Sequence, residues 1–317
     1  MTSLDGTTAG RVEARPAVVR HRRKWLEIAL FLAPAVALYV IFLIVPVVQA
    51  IRYSTYAWNG LGELTDFVGF GNYREALGDS AFRQAMGHNG ILVALSLVFQ
   101  LPLALGIALL LNRRLRGRSL LRLIFFTPYV LSEAITAVIF LQILQPSGLV
   151  DEFLRSIGLG SLVQLWLADL ELVFYTLFVV ITWKYIGFAI ILFLAGLQGI
   201  PAELHDAAAM DGASSWTNLR YITLPLLGPT IRIWAFLAII GSIQLFDIVW
   251  IMTLGGPAGA SSTMATYMVD QGVNSYRIGY ATSVAVILFG ICFVVSILYQ
   301  LFVLRRDVTG GTARMAG

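Results

Sequence analysis

The sequence predicts an all-α integral membrane protein of about six transmembrane helices, with both termini in the cytoplasm. Three observations carry this expectation: the ratio of apolar to charged residues, six apolar stretches of spanning length, and a lopsided distribution of Lys and Arg. Of 317 residues, 58% are hydrophobic and only 13% charged, and the mean hydropathy is +0.80. Soluble domains run at about 45–50% apolar and about 25% charged. A chain this apolar cannot hide its surface in a water-soluble fold, whereas a bilayer serves as solvent for the outside of its helices.

The expected spans are Trp25–Val48, Gly90–Leu111, Leu123–Leu144, Leu172–Leu197, Ile231–Leu254 and Ala281–Leu304. Each approaches the ~20 residues needed to cross hydrocarbon. The first follows a charged arm, as a signal peptide would, but its apolar run is too long and no small-residue cleavage site follows it, so it reads as a retained helix. Alternate loops then divide the cations. One side takes six between Arg11 and Lys24, five between Arg113 and Arg122, then Arg220, Arg232, Arg305, Arg306 and Arg314. The other takes Arg52, Arg74, Arg83, Arg155 and Arg277. The richer side is cytoplasmic. The formal charge of +4 is therefore a topology signal, and no nucleic-acid partner is expected.

Three segments result. Residues 1–24 form a cytoplasmic arm, read as disordered from its polar composition; 25–306 form the transmembrane domain, and 307–317 a cytoplasmic tail. The external loop Ile51–Met86 is expected to fold back on the membrane surface. The 145–171 loop opens on the turn Pro146-Ser147-Gly148, followed by a short amphipathic piece, Leu149–Ile157. No internal repeat is evident, which weighs against transporters built from duplicated halves. Cys292 is the only cysteine, and His21, His88 and His205 lack ligand spacing, so metal and thiol chemistry have no basis here. No phosphate-binding loop frames Lys24 or Lys184, so any nucleotide hydrolysis must come from another chain.

One cytoplasmic loop, Ile200–Pro225, holds the densest pattern. Pro201 suits a first helical turn, where its missing N–H costs nothing. Glu203 and Asp206 fall near the positive end of the helix dipole. Ala207–Ala209 favours helix and presents no bulk. Gly212 ends or bends the segment, and Pro225 is expected to break the chain before the fifth span. On these grounds alone the segment is a punctuated surface helix, with an ordinary amphipathic connector as the plain alternative.

The spacing says more. Asp206-Ala207-Ala208, Gly212, Ile222 and Leu224-Pro225 resemble the E-A-A-x3-G-x9-I-x-L-P loop of ATP-binding-cassette (ABC) importer permeases, with Asp in place of Glu at the first position. Val68–Tyr73, Arg122–Tyr129, Trp183–Gly187, Leu194–Gln198, Phe246-Asp247 and Thr253–Pro257 are similar to stretches of the carbohydrate-importing, maltose-type branch. The likeness covers roughly residues 25–306. Two departures are Asp151, where Asn is expected after the Gly148 turn, and Asn89-Gly90, where Asn-Thr is usual.

The resemblance implies the type I (MetI-like) permease fold and import of a di- or oligosaccharide across the cytoplasmic membrane of a prokaryote. It implies a second permease chain as partner in a heterodimer, two ATPase subunits and an extracytoplasmic solute-binding protein. No cofactor is expected in this chain, ATP and Mg being bound by the ATPases. Glu203, Asp206, Ala207, Ala208, Gly212, Ile222, Leu224 and Pro225 would then form the ATPase-coupling lever. For the substrate pathway the residues singled out are Lys184, Gln244, Asp247, Glu133 and Gln142. Lys184 is costly to bury inside a span and reads either as functional or as snorkelling or paired with a carboxylate. Asp247, with Gln244 one turn earlier, is expected to line one face of the fifth span. Trp183, Tyr185, Phe246 and Trp250 are stacking candidates for sugar rings. The alternatives are a permease for glycerol phosphate or another solute, a secondary transporter, and an intramembrane enzyme, for which no constellation is found.

Overall fold

The computed structural model describes residues 18–113 and 116–304. The expectations for residues 1–17, Arg114 and the tail from 305 onward fall outside the described residues. The chain divides into two compact units, 1–50 and 51–317. In the first, α1 (Val18–Tyr39) begins inside the segment read as a disordered arm and runs through a π-helical turn, Val40–Ile44, into α2 (Val45–Tyr53). From Glu27 to Tyr53 this is one membrane-length helix, with every residue from Ile28 to Val48 apolar, as a helix facing lipid requires.

The second unit opens with a loop and α3 (Gly71–Gly78). Asn72 ties this loop down, its amide donating to the carbonyls of Ser54 and Tyr56 at 2.9 Å each. The next span is α4 (Ser80–Leu95), a π-helical turn Ser96–Gln100, and α5 (Leu101–Asn112). Asp79 caps α4, accepting the N–H groups of Ala81 and Phe82. Then follow α6 (Arg118–Val130), α7 (Glu133–Leu144) and the short α8 (Leu149–Ser156). The central α9 (Val173–Gln198) precedes the short helices α10 (Ala202–Met210) and α11 (Ser215–Asn218). A π-helical turn, Leu219–Thr223, leads into α12 (Leu224–Ile243), followed by α13 (Asp247–Thr253), α14 (Met264–Val269) and α15 (Ile278–Tyr299). Among the described residues every regular element is helical, apart from one isolated bridge between Tyr56 and Phe67.

α9 is the axis of this unit. Of its most apolar stretch 56% is buried, against 22–33% for the other spans of the unit. Two glycines permit that depth. A Cβ on Gly187 would stand 2.1 Å from the Phe125 carbonyl oxygen of α6, and one on Gly196 would stand 2.6 Å from Thr230 Oγ1 of α12. Around α9, one apolar cluster joins Leu177 and Val180 to Ile248 and Val249 of α13. A second joins Ile190 and Phe193 to Leu111 of α5 and Leu227 and Trp234 of α12.

Two expected spans are not straight. The third, read as one helix Leu123–Leu144, is two helices meeting at 101°. The sequence has its reason at the joint: Leu131 is extended and Ser132 caps a new helix, its hydroxyl accepting the Ile135 N–H. The fifth is interrupted between Ile243 and Asp247. Conversely, Pro225 does not break the chain. The Leu224 N–H bonds to the carbonyl of Leu219, five residues back, and the helix passes through the proline into α12. Val45–Pro46 and Leu101–Pro102 follow the same rule, each on the end of a π-helical turn. The widened turn takes the carbonyls four residues back away from the pyrrolidine ring, which removes the usual clash.

Candidate functional site

The 200–225 loop forms a braced helix. Pro201 lies just outside it as the N-cap residue, not in its first turn as expected, and Glu203 falls in the first turn. At the far end Asp211 is the C-cap. The Gly212 N–H bonds to the Ala209 carbonyl at 3.1 Å and the Ala213 N–H to the Ala208 carbonyl at 2.9 Å. This is the Schellman arrangement, and it needs the left-handed φ of +73° that Gly212 adopts. Of the small residues, Ala208 turns into the chain's own interior while Ala207 stays exposed. His205, one turn before Ala208, bonds through Nδ1 to Asn218 Oδ1 at 2.8 Å and so ties α10 to α11. Behind the helix lies a cleft of about 370 Å³ bounded by Leu109, Asn112, Leu197 and Ser215.

The outward face carries Glu203, Asp206 and Ala207 beside Met210, which is 86% exposed, with Trp216 and Tyr221 standing free nearby. Large exposed apolar side chains beside fixed charges mark an interaction surface. Ile222, on the π-helical turn, and Leu224 are half-buried and Pro225 is exposed, the last two opening α12.

Between the spans the structure gathers three of the five pathway residues. Glu133 begins α7 and Asp247 begins α13, and these two helices pack together. Each carboxylate sits at a helix N-terminus, where the dipole favours it. Glu133 accepts a hydrogen bond from the hydroxyl of Tyr185, the neighbour of Lys184 on α9. Lys184 itself is buried; its ammonium donates to the carbonyls of Pro128 and Tyr129 at 3.2 and 3.1 Å, and to that of Leu131. Gln244 does not share a helical face with Asp247, because the chain is broken between them; its amide lies 3.8 Å from Cys292 Sγ. Gln142 is exposed roughly 13 Å along α7 from Glu133 and accepts from Gln145.

Next to this cluster is a cavity of about 310 Å³ that sequence reasoning did not locate. Tyr129, Tyr185, Phe188 and Trp234 supply its aromatic wall, and Ser96, Gln100 and Ser242 its polar groups. Tyr129 stacks on Phe188 with ring centres 5.0 Å apart. No Asp, Glu, Lys or Arg lines it among the described residues. One signal for it was present: Ser96 and Gln100, four residues apart in an apolar run, share a helix face. Of the expected stacking residues only Tyr185 reaches the cavity. Trp183 packs edge-on to Phe140 at 4.9 Å, and Phe246 and Trp250 stack on each other at 5.5 Å.

The described helices include five, or six with the bent pair, of membrane-spanning length, and the family of the chain follows from its relatives. Residues 100–308 match the model of the binding-protein-dependent transport system inner membrane component family, and the chain belongs to that family. It is 33% identical to the multiple sugar-binding transport system permease protein MsmF of Streptococcus mutans, across 84% of this chain and 92% of that one. It is 31% identical to the diacetylchitobiose uptake system permease protein NgcF of Streptomyces coelicolor, across 89% and 82%. The fold is that of ABC importer permeases: a chain of a bacterial alginate ABC transporter, crystallised with its alginate pentasaccharide-bound periplasmic protein, superposes with a TM-score of 0.78 over 91% of this chain and 97% of that one, at 24% identity.

Proposed function

We propose that this chain is the membrane-spanning subunit of an ABC importer that carries a sugar, a di- or oligosaccharide, into a prokaryotic cell across its cytoplasmic membrane. It pairs with a second permease subunit. Two ATPase subunits, which hold ATP and Mg, supply the energy, and an extracytoplasmic binding protein delivers the sugar. The chain has no ATPase site of its own. The observation that carries the reading is the braced helix α10: locked by the Gly212 stop and the inward Ala208, it offers Glu203, Asp206 and Met210 to a partner as one rigid lever.

The cavity supports a neutral cargo. Tyr and Trp faces suit the apolar faces of sugar rings, and serine and glutamine side chains suit hydroxyls. A phosphate or uronate entering a cavity without a cation would be desolvated uncompensated. This favours a neutral saccharide over glycerol phosphate. The names of MsmF and NgcF point to sugars as well.

Reconstitution with the cognate ATPases and binding protein in liposomes tests both parts. Uptake of radiolabelled neutral disaccharides is expected to need ATP, and excess glycerol 3-phosphate is expected not to compete. Uptake without ATP that collapses with an ionophore would identify a secondary transporter instead.

A further inference from the structure

The bend in the third span leaves helix-end carbonyls inside the membrane. The α6–α7 joint turns by 101°, and its extended residue, Leu131, carries no helical hydrogen bond onward. In hydrocarbon such groups must be satisfied by another part of the protein. Lys184 of α9 does this from the side: one ammonium reaches the carbonyls of Pro128, Tyr129 and Leu131. A cation also suits the negative end of a helix dipole. Three residues along α9, Gly187 lets the helix press on the Phe125 backbone, so α9 grips the end of α6 at two levels. Glu133, on the far side of the joint, is held by Tyr185, the neighbour of Lys184.

The carbonyls that Lys184 holds flank and include Tyr129, whose ring is a wall of the cavity. Lys184 does not line the cavity itself. We infer that Lys184 is a positioning residue for transport: by clamping the bent third span it sets the place of the Tyr129 ring and, with it, which sugars pass. This rests on reading the cavity as part of the translocation path.

The test uses the whole reconstituted complex, with maltose and lactose as paired probes at saturating binding protein. The readout is the ratio of the two uptake rates, which a simple loss of assembled complex does not move because both rates fall together. Lys184→Met is expected to shift the ratio at least about threefold, Tyr129→Ala to shift it in the same direction, and the double variant to go no further than the larger single. A wild-type ratio in Lys184→Met, or additive shifts in the double variant, overturns the proposal. Where Lys184→Met does not assemble, Lys184→Gln takes its place, and a wild-type ratio there overturns it equally. A wild-type ratio in Tyr129→Ala refutes the cavity reading, and with it the route through Tyr129.

Discussion

The Asn89 amide donates to the Ser242 carbonyl at 2.7 Å, reaching across from α4 to the last turn of α12 where the fifth span breaks. The same amide reaches the Ile243 carbonyl at 3.2 Å, and Asn89 Oδ1 accepts the Met264 N–H at 2.8 Å. Thr263 completes the repair by donating to the Leu245 carbonyl at 2.8 Å. The fifth span is thus mended by a side chain of a neighbouring helix, as the third is mended by Lys184. Broken helices persist in membranes under this condition.

Asn89→Leu removes all three bonds at a position only 1% exposed. Each buried group left without a partner costs about 1–3 kcal/mol. The variant is therefore expected to denature several degrees below wild type in detergent, measured by a thermal scan of the purified complex. Asn89→Asp keeps the acceptor for Met264 but brings a carboxylate against two carbonyls, and is expected to be at least as unstable. A wild-type midpoint for both would show that Asn89 does not hold the break.

The 145–171 loop offers a pH-dependent contact. Asp151 accepts the Trp166 indole N–H at 2.8 Å on one oxygen and the Ser147 N–H at 2.9 Å on the other. These bonds, the Trp166 one foremost, hold its carboxyl below the ordinary value of 3.8. A depressed folded pKa means that the contact contributes fully above 3.8 and is lost as pH falls through the lower folded value. The difference in tryptophan emission between wild type and Trp166→Phe is expected to stay flat above that value and change below it. The two-oxygen geometry also accounts for Asp where the family pattern has Asn: an asparagine would turn its own NH2 toward one of the two donors. Asp151→Asn is accordingly expected to loosen Trp166 at every pH.

How much of this was legible before the structure divides along physical lines. The spans and the short helix that Gly212 ends were readable because hydropathy and helix punctuation are local properties. Ala207, Ala208 and Gly212 keep their places whatever the tertiary fold. The bends were not readable from hydropathy, which averages over Leu131 and Ser132 and sees one apolar run. Yet Ser132-Glu133 is an N-cap followed by a first-turn carboxylate, and that signal sat unread in the middle of a supposed span. Pro225 misled in the opposite direction, since its usual effect is cancelled by a π-helical turn set by tertiary context. Lys184 was recognised as unusual, but its three carbonyl partners lie more than fifty residues away, and no spacing rule foretells them.

The role proposed for α10 gives a prediction about mechanism. Gly212 sits at φ +73° with nothing within 4 Å of its absent side chain, so a substitution there meets strain and no clash. An L-residue in that conformation costs about 1–2 kcal/mol, and proline, fixed near −65°, cannot adopt it. Gly212→Ala is expected to lower sugar-stimulated ATP hydrolysis partially, and Gly212→Pro to abolish it, with both proteins inserted in the membrane at normal yield. Equal stimulation in all three proteins would remove the lever role from α10.

The last prediction concerns the close approach of α9 and α6. At Gly187 a methyl group would overlap the Phe125 carbonyl oxygen at 2.1 Å and the Phe126 Cα at 2.9 Å, and backbone cannot yield as a flexible side chain does. Gly187→Ala must separate the two helices or strain them, at about 1–3 kcal/mol for an overpacked core. Separation would also pull Lys184 from its carbonyls, three residues away on the same helix, so packing and hydrogen bonding fail together. Gly290, in the interior of α15, is the matched control, because a methyl group there meets nothing within 4 Å. Gly187→Ala is expected to lower the yield of folded protein and its denaturation midpoint. Gly290→Ala is expected to hold both, since alanine is favoured over glycine in a helix by about 1 kcal/mol. Equal behaviour of the two variants would mean that α6 and α9 do not meet through their backbones at Gly187.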